Sequence, residues 1–138
     1  MMKHDNYSGK ELKYMKIGLV GLPTVGKTTL FNLLTGQNIE ISGFSTGKVE
    51  SNVGIAKIPD KRIDFLADMY KPKKTTPATI EVIDVPGLVS GSSAGKGVGN
   101  QFLDAIRKVD VLVHIVRAFK NDAVIHVDGD VNPMRDIE

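Results

Sequence analysis

Gly21-Leu22-Pro23-Thr24-Val25-Gly26-Lys27-Thr28 matches the spacing G-x-x-x-x-G-K-[ST]. Each residue type in that pattern serves the chemistry of holding a polyphosphate. Glycines let the main chain wrap an anion without Cβ clashes. Successive N–H groups then point into the concavity. A helix opening near Lys27 adds its positive N-terminal end. Lys27 is expected to reach the β- and γ-phosphates, and the Thr28 hydroxyl to bind Mg²⁺. The expected nucleotide-binding set is Leu22, Pro23, Thr24, Val25, Gly26, Lys27, Thr28 and Thr29. With glycine near 7% of residues, a chance match has odds on the order of one in a hundred or less. The surroundings also fit, since an apolar run precedes the pattern and an amphipathic one follows it.

A second chemical group lies downstream in Asp84-Val85-Pro86-Gly87. Asp-x-x-Gly alone is a weak signal, because both residues are common in turns. Behind the apolar residues Ile80, Val82 and Ile83, and after a phosphate loop, it reads as the aspartate that helps hold Mg²⁺ in P-loop NTPases. The Gly87 amide is then placed to meet the γ-phosphate, so Gly87 joins Lys27 as a catalytic candidate. Leu88 stands where many GTPases have a glutamine that orients water. A leucine cannot do this, so hydrolysis must use another group, use a partner, or be slow. Thr46 is the candidate for closing over Mg²⁺ from a first mobile loop, with Ser42, Ser45 and Ser51 as competitors.

The elements needed to position these groups can be read in order. Ile17, Leu19 and Val20 suggest a buried strand before Gly21. Leu30, Phe31, Leu33 and Leu34 repeat at helical spacing up to Gly36, a C-cap candidate. Residues 37–52 read as a mobile loop and 53–58 as a strand. Asp60 should cap a helix whose apolar face is Ile63, Leu66, Ala67 and Tyr70, ended by Lys71-Pro72. Residues 78–85 read as a strand, 86–99 as a Gly/Ser-rich loop, and 100–108 as a helix with Phe102, Leu103 and Ile106 inward. Residues 111–116 are nearly all apolar, as expected of a strand covered on both faces, with His114 packed in the core. Residues 121–138 begin a new unit. Alternating strands and helices specify an α/β fold, a P-loop NTPase (G-domain-like) layered sheet with helices on both faces.

Composition narrows the function classes. The 138 residues suffice for one domain, with residues 1–14 expected as a flexible leader and 15–138 as the N-terminal part of a P-loop domain. No cysteine is present, which excludes disulfides and thiolate metal sites. Net charge is only +2, so the overall field does not argue for nucleic acid. Lys71, Lys73 and Lys74 form a small basic patch without aromatic stacking partners, a solvated turn more than an RNA site. The chain lacks an apolar run of membrane-spanning length and a signal-peptide pattern, so it is expected in the cytoplasm with no membrane partner.

Several further motifs together resemble the YchF-type NTPases of the Obg-related group. They are Gly18-Leu19-Val20-Gly21-Leu22-Pro23, Lys27-Thr28-Thr29-Leu30-Phe31-Asn32 and Lys71-Pro72-Lys73-Lys74-Thr75, with Gly99-Asn100-Gln101-Phe102-Leu103, the stretch from Val113 to Phe119 and that from Val131 to Glu138. The resemblance implies an ATP-preferring NTPase that also accepts GTP, uses Mg²⁺ and works near ribosomes. It also implies an apolar residue in place of the catalytic glutamine, which Leu88 matches. Two departures stand out. Residues 43–49 differ from the family's usual Pro-Phe-x-Thr-Ile pattern, and Pro86 replaces a common alanine. Members also continue into a base-recognition motif, a helical insertion and a β-rich domain, so the chain reads as an N-terminal fragment or split product with an exposed sheet edge and weakened nucleotide binding. Base preference and oligomeric state are not legible. The competing readings are a nucleotide-gated binding module with little hydrolysis and, ranked lower, a P-loop kinase.

Overall fold

The computed structural model describes residues 14–41, 51–86 and 98–138. Four strands form one sheet in the order β2-β3-β1-β4, with β1 at Lys16–Val20, β2 at Asn52–Lys57, β3 at Thr79–Asp84 and β4 at Val111–His114. The helices are α1 at Lys27–Thr35, α2 at Lys61–Tyr70, α3 at Val98–Ile106 and the short α4 at Pro133–Ile137. β1 runs parallel to both β3 and β4, whereas β2 is antiparallel to β3. The α/β reading with helices on both faces therefore holds.

Alternation along the strands assigns the two faces. Leu19 and Val82 point to the α1 side, where they pack with Phe31 and Ala56 into one core. Leu19, Phe31 and Val82 are fully buried there, each worth about 1.5–3 kcal/mol of apolar transfer. Ile83 and Val85 point to the other side and meet Ala105, with Val20, Phe102, Ile106 and Val109 around them. Asp110 fixes the entry to β4: its carboxylate accepts from the Lys16 amide at 2.9 Å, and its own amide donates to the Lys16 carbonyl at 2.8 Å.

The ends of the elements follow their local chemistry. Gly36 closes α1 in the left-handed conformation, its amide donating to the Asn32 carbonyl. The Asn32 side chain then pairs with both main-chain groups of Ile39. Asp60 caps α2 by accepting from the Arg62 amide, and Lys71 ends it in the left-handed region.

Burial departs from the sequence reading in four places. Among the described residues β4 is an edge strand, and Val111 and Leu112 are about half exposed. His114 is likewise exposed and not a core histidine, because β1 covers only one side of β4. In α3, Leu103 faces outward and Ala105 supplies the buried contact. In α1, Leu33 is exposed, while Phe31 alone of the four apolar residues is fully buried. The apolar face of α2 exists but buries nothing completely; with Pro72, its residues Ile63, Leu66, Ala67 and Tyr70 line a groove of about 310 Å³.

Candidate nucleotide site

Parallel pairing sets the site. Leu19 stands opposite Asp84 and Val20 opposite His114, so the turn after β1 emerges beside the carboxyl ends of its neighbours. The chain leaves β1 first towards β3 and later returns to β4 on the other side. Such a switch point opens a crevice at the strand ends, where ligands bind in open α/β sheets.

The turn has the required backbone. Gly21 has a φ of 153°, and a Cβ there would lie 2.4 Å from the Ile115 carbonyl oxygen. Gly26 adopts φ 104° as the N-cap of α1, without a side-chain cap. The first-turn amides of α1 thus carry no capping carboxylate, and no acidic residue occupies that turn. Their positive end faces the crevice. Thr24 also takes a positive φ, 62°, which costs a non-glycine residue about 1–2 kcal/mol. Its hydroxyl donates to the Ile125 carbonyl at 3.0 Å.

Three polar groups converge behind this turn. Lys27 is 8% exposed, and its ammonium donates to the Gly21 and Leu22 carbonyls at 3.2 and 3.1 Å. Burial pushes that ammonium below the ordinary lysine value of 10.5, and the negative charge of Asp84 partly offsets the shift. The Thr28 hydroxyl donates to Asp84 Oδ2 at 2.9 Å. Asp84 is 6% exposed, and its Oδ1 is buried with no hydrogen-bond partner among the described residues. A buried carboxylate oxygen normally has a partner. A hydroxyl and a half-satisfied carboxylate form the hard oxygen donor set that suits Mg²⁺.

The structure therefore brings together Lys27, Thr28 and Asp84, with residues 22–26 and Thr29 around the turn. Thr46, Gly87 and Leu88 lie outside the described residues. The segment after β4 overlaps two stretches that carry the family resemblance, Val113 to Phe119 and Val131 to Glu138, but no site role was read in it from sequence. It includes Arg117, which donates to three main-chain carbonyls. It also includes His126, whose Nε2 lies 3.0 Å from Asp136 Oδ2, both side chains being about 2% exposed. The Asp128 amide donates to His126 Nδ1 at 3.2 Å, which turns Nε2 towards Asp136. Asp128 completes a cluster whose ligand atoms lie within 4.8 Å of one another. The His126–Asp136 pair fastens α4 to the loop beside Thr24.

A glycine turn between a parallel strand and a helix, with a buried lysine and a threonine–aspartate pair at the strand ends, defines a P-loop NTPase fold. A model for the family described as 50S ribosome-binding GTPase matches residues 16–137, and the chain belongs to that family. Within it, the chain is similar to the ribosome-binding ATPase YchF of Escherichia coli O157:H7, at 52% identity over 89% of this chain and 34% of that protein. It is similar to the Obg-like ATPase 1 of Xenopus laevis, at 46% identity over 90% of this chain and 31% of that one. Among solved structures it resembles the Schizosaccharomyces pombe YchF GTPase, with a TM-score of 0.63 and 40% identity, covering 89% of this chain and 33% of that chain. The chain thus spans about a third of the length of these relatives. The YchF-type resemblance read from the motifs agrees with all three comparisons.

Proposed function

We propose that this chain binds a purine nucleoside triphosphate with Mg²⁺, hydrolyses its β–γ bond, and serves as the phosphate-handling part of a ribosome-associated switch in the cytoplasm. One observation carries the reading: Lys27, Thr28 and the half-satisfied Asp84 meet beneath a glycine turn at the open ends of the sheet. The names of the Escherichia coli relative and of the family support ribosome association. Both relatives are named ATPases, whereas the family and the solved structure are named GTPases, so the preference for ATP over GTP rests on the motif resemblance. Among the described residues, no helix is long and apolar enough to cross a membrane.

In this mechanism the main-chain N–H groups of Leu22 and of residues 24–29 orient the phosphates, Pro23 having none to donate. Lys27 exchanges its two carbonyl partners for phosphate oxygens and neutralises charge that develops on them. Thr28 and Asp84 would hold Mg²⁺, which would supply further charge neutralisation for the bound polyphosphate. Gly87 and Thr46 are assigned to the γ-phosphate side from sequence.

Asp84→Asn keeps the shape but removes the charge. The gain in ATP affinity on adding Mg²⁺ should shrink about tenfold or more, the worth of one charge-assisted contact. Titrations in Mg²⁺ and in EDTA measure it; an unchanged Mg²⁺ effect contradicts the assignment.

Lys27 also sets a pH dependence. A bound polyphosphate favours the ammonium and raises its lowered pKa, so binding takes up a proton wherever free Lys27 is neutral. Affinity should hold at lower pH and fall as pH rises through the free-state value, which lies below 10.5. The empty chain shows the opposite trend. Between the lowered value and 10.5 the unfolded state binds more protons, so this lysine's contribution to stability rises with pH. Affinity that stays flat throughout the alkaline range would remove Lys27 from the phosphates.

The function is tested by phosphate release from ATP and GTP with Mg²⁺, with and without ribosomes. Release that exceeds the Lys27→Ala background and favours ATP is expected. No release above that background under either condition defeats the enzymatic reading.

A further inference from the structure

The loop after β4 is built around one arginine. Arg117 is 1% exposed. Its Nε donates to the Phe119 carbonyl at 3.1 Å, Nη1 to Val124 at 2.9 Å and Nη2 to Asn121 at 3.2 Å. The guanidinium also lies over the Phe119 ring, 4.8 Å from its centre. Among the described residues, no carboxylate lies within 4.0 Å of it. The charge acts on the main chain instead, and the planar fork suits several carbonyls at once. Residues 119–124 therefore curl around Arg117.

The next residue, Ile125, offers its carbonyl to the Thr24 hydroxyl. Thr24 is the non-glycine residue of the phosphate turn with positive φ. A β-branched residue persists in that region only where its surroundings hold it. The hydroxyl bond ties Thr24 to a carbonyl whose position the Arg117-centred loop sets. Nothing in this chain of contacts needs Arg117 to touch a ligand.

We propose that Arg117 is a positioning residue for the phosphate turn: by fixing the Ile125 carbonyl it holds Thr24 in its left-handed conformation and so sets nucleotide affinity. The inference rests on the reading that residues 21–28 bind a polyphosphate. It gives the loop after β4 a role in binding at a distance from the lysine and the carboxylate.

The test is a double-mutant cycle on the 138-residue chain, with ATP and ADP titrated calorimetrically in Mg²⁺ and thermal transitions recorded alongside. Thr24→Val keeps the β-branch and removes the hydroxyl. Arg117→Lys keeps a charge but cannot span three carbonyls. Each should weaken binding about tenfold, and the double variant should also lose about tenfold, because both changes cut the same link. Thr24→Gly adopts the left-handed conformation without an anchor, so adding Arg117→Lys to it should cost less than threefold. If Arg117 were merely structural, Arg117→Lys would lower the melting temperature without any such coupling. If Arg117→Lys does not fold, Phe119→Leu, which removes the ring beside the guanidinium, takes its place with a smaller coupled loss. Effects that multiply to about a hundredfold, or Arg117→Lys binding as the wild type does, overturn the proposal while leaving nucleotide binding intact. A wild-type chain that binds neither nucleotide overturns both.

Discussion

Lys27→Ala should weaken ATP binding in Mg²⁺ about a hundredfold while leaving the fold in place. The buried ammonium donates to two carbonyls of its own turn, Gly21 and Leu22, at the mouth of the crevice. Contacts from a charged donor to phosphate oxygens contribute about 1.5–3 kcal/mol each. Loss of one or two of them corresponds to about a hundredfold in Kd. The fold should survive because burial already opposes the charged form of Lys27. Removing the ammonium gives up two hydrogen bonds but also relieves that desolvation. Titration calorimetry on the variant, with its thermal transition as control, checks both halves. A variant that melts normally and binds ATP as tightly as the wild type would take Lys27 out of the site.

Gly21→Ala acts on the scaffold. The added Cβ would lie 2.4 Å from the Ile115 carbonyl oxygen, a main-chain atom that cannot rotate away. Ile115 in turn donates its amide to the Val20 carbonyl at 2.8 Å, continuing the pairing of β1 with β4. Relief of the clash must push β4 away from β1 or distort the turn. The positive φ of 153° adds a backbone cost for any side chain. Together these should lower stability by about 2–4 kcal/mol. Chemical denaturation should show a fall in midpoint with little change in slope. A stability within about 0.5 kcal/mol of the wild type would show that β1 and β4 are not held this closely.

Much of the site could be read from local spacing, and the reasons are physical. A turn that wraps phosphate needs glycines at set positions, so residues 21–28 announce themselves. Asp84 could be placed because it ends an apolar strand downstream of that turn, and parallel pairing of β1 with β3 then brings it to Thr28. What local pattern could not supply was which neighbours cover an element. An apolar run such as residues 111–116 looks the same at a sheet edge and in its middle, which is why Val111, Leu112 and His114 proved more exposed than expected. The face of α2 shows the same limit, because periodicity reports an apolar stripe and not what lies against it. Arg117 and Asp136 lie in stretches that mark the family resemblance, but no spacing there tells what Arg117 or the His126–Asp136 pair does. Their importance lies in contacts between distant parts of the chain, such as the bond from Thr24 to Ile125. Conversely, Phe31 and Leu19 were legible as core residues because helical and strand periods both point them inward.

The central claim is that the crevice above Lys27, Thr28 and Asp84 holds the phosphates of a nucleotide with Mg²⁺. Calorimetric titration of the wild-type chain with ATP, in Mg²⁺ and then in EDTA, tests it most directly. One saturable site whose affinity rises with Mg²⁺ is expected. Heats indistinguishable from dilution in both buffers, from a chain that still melts cooperatively, would contradict it.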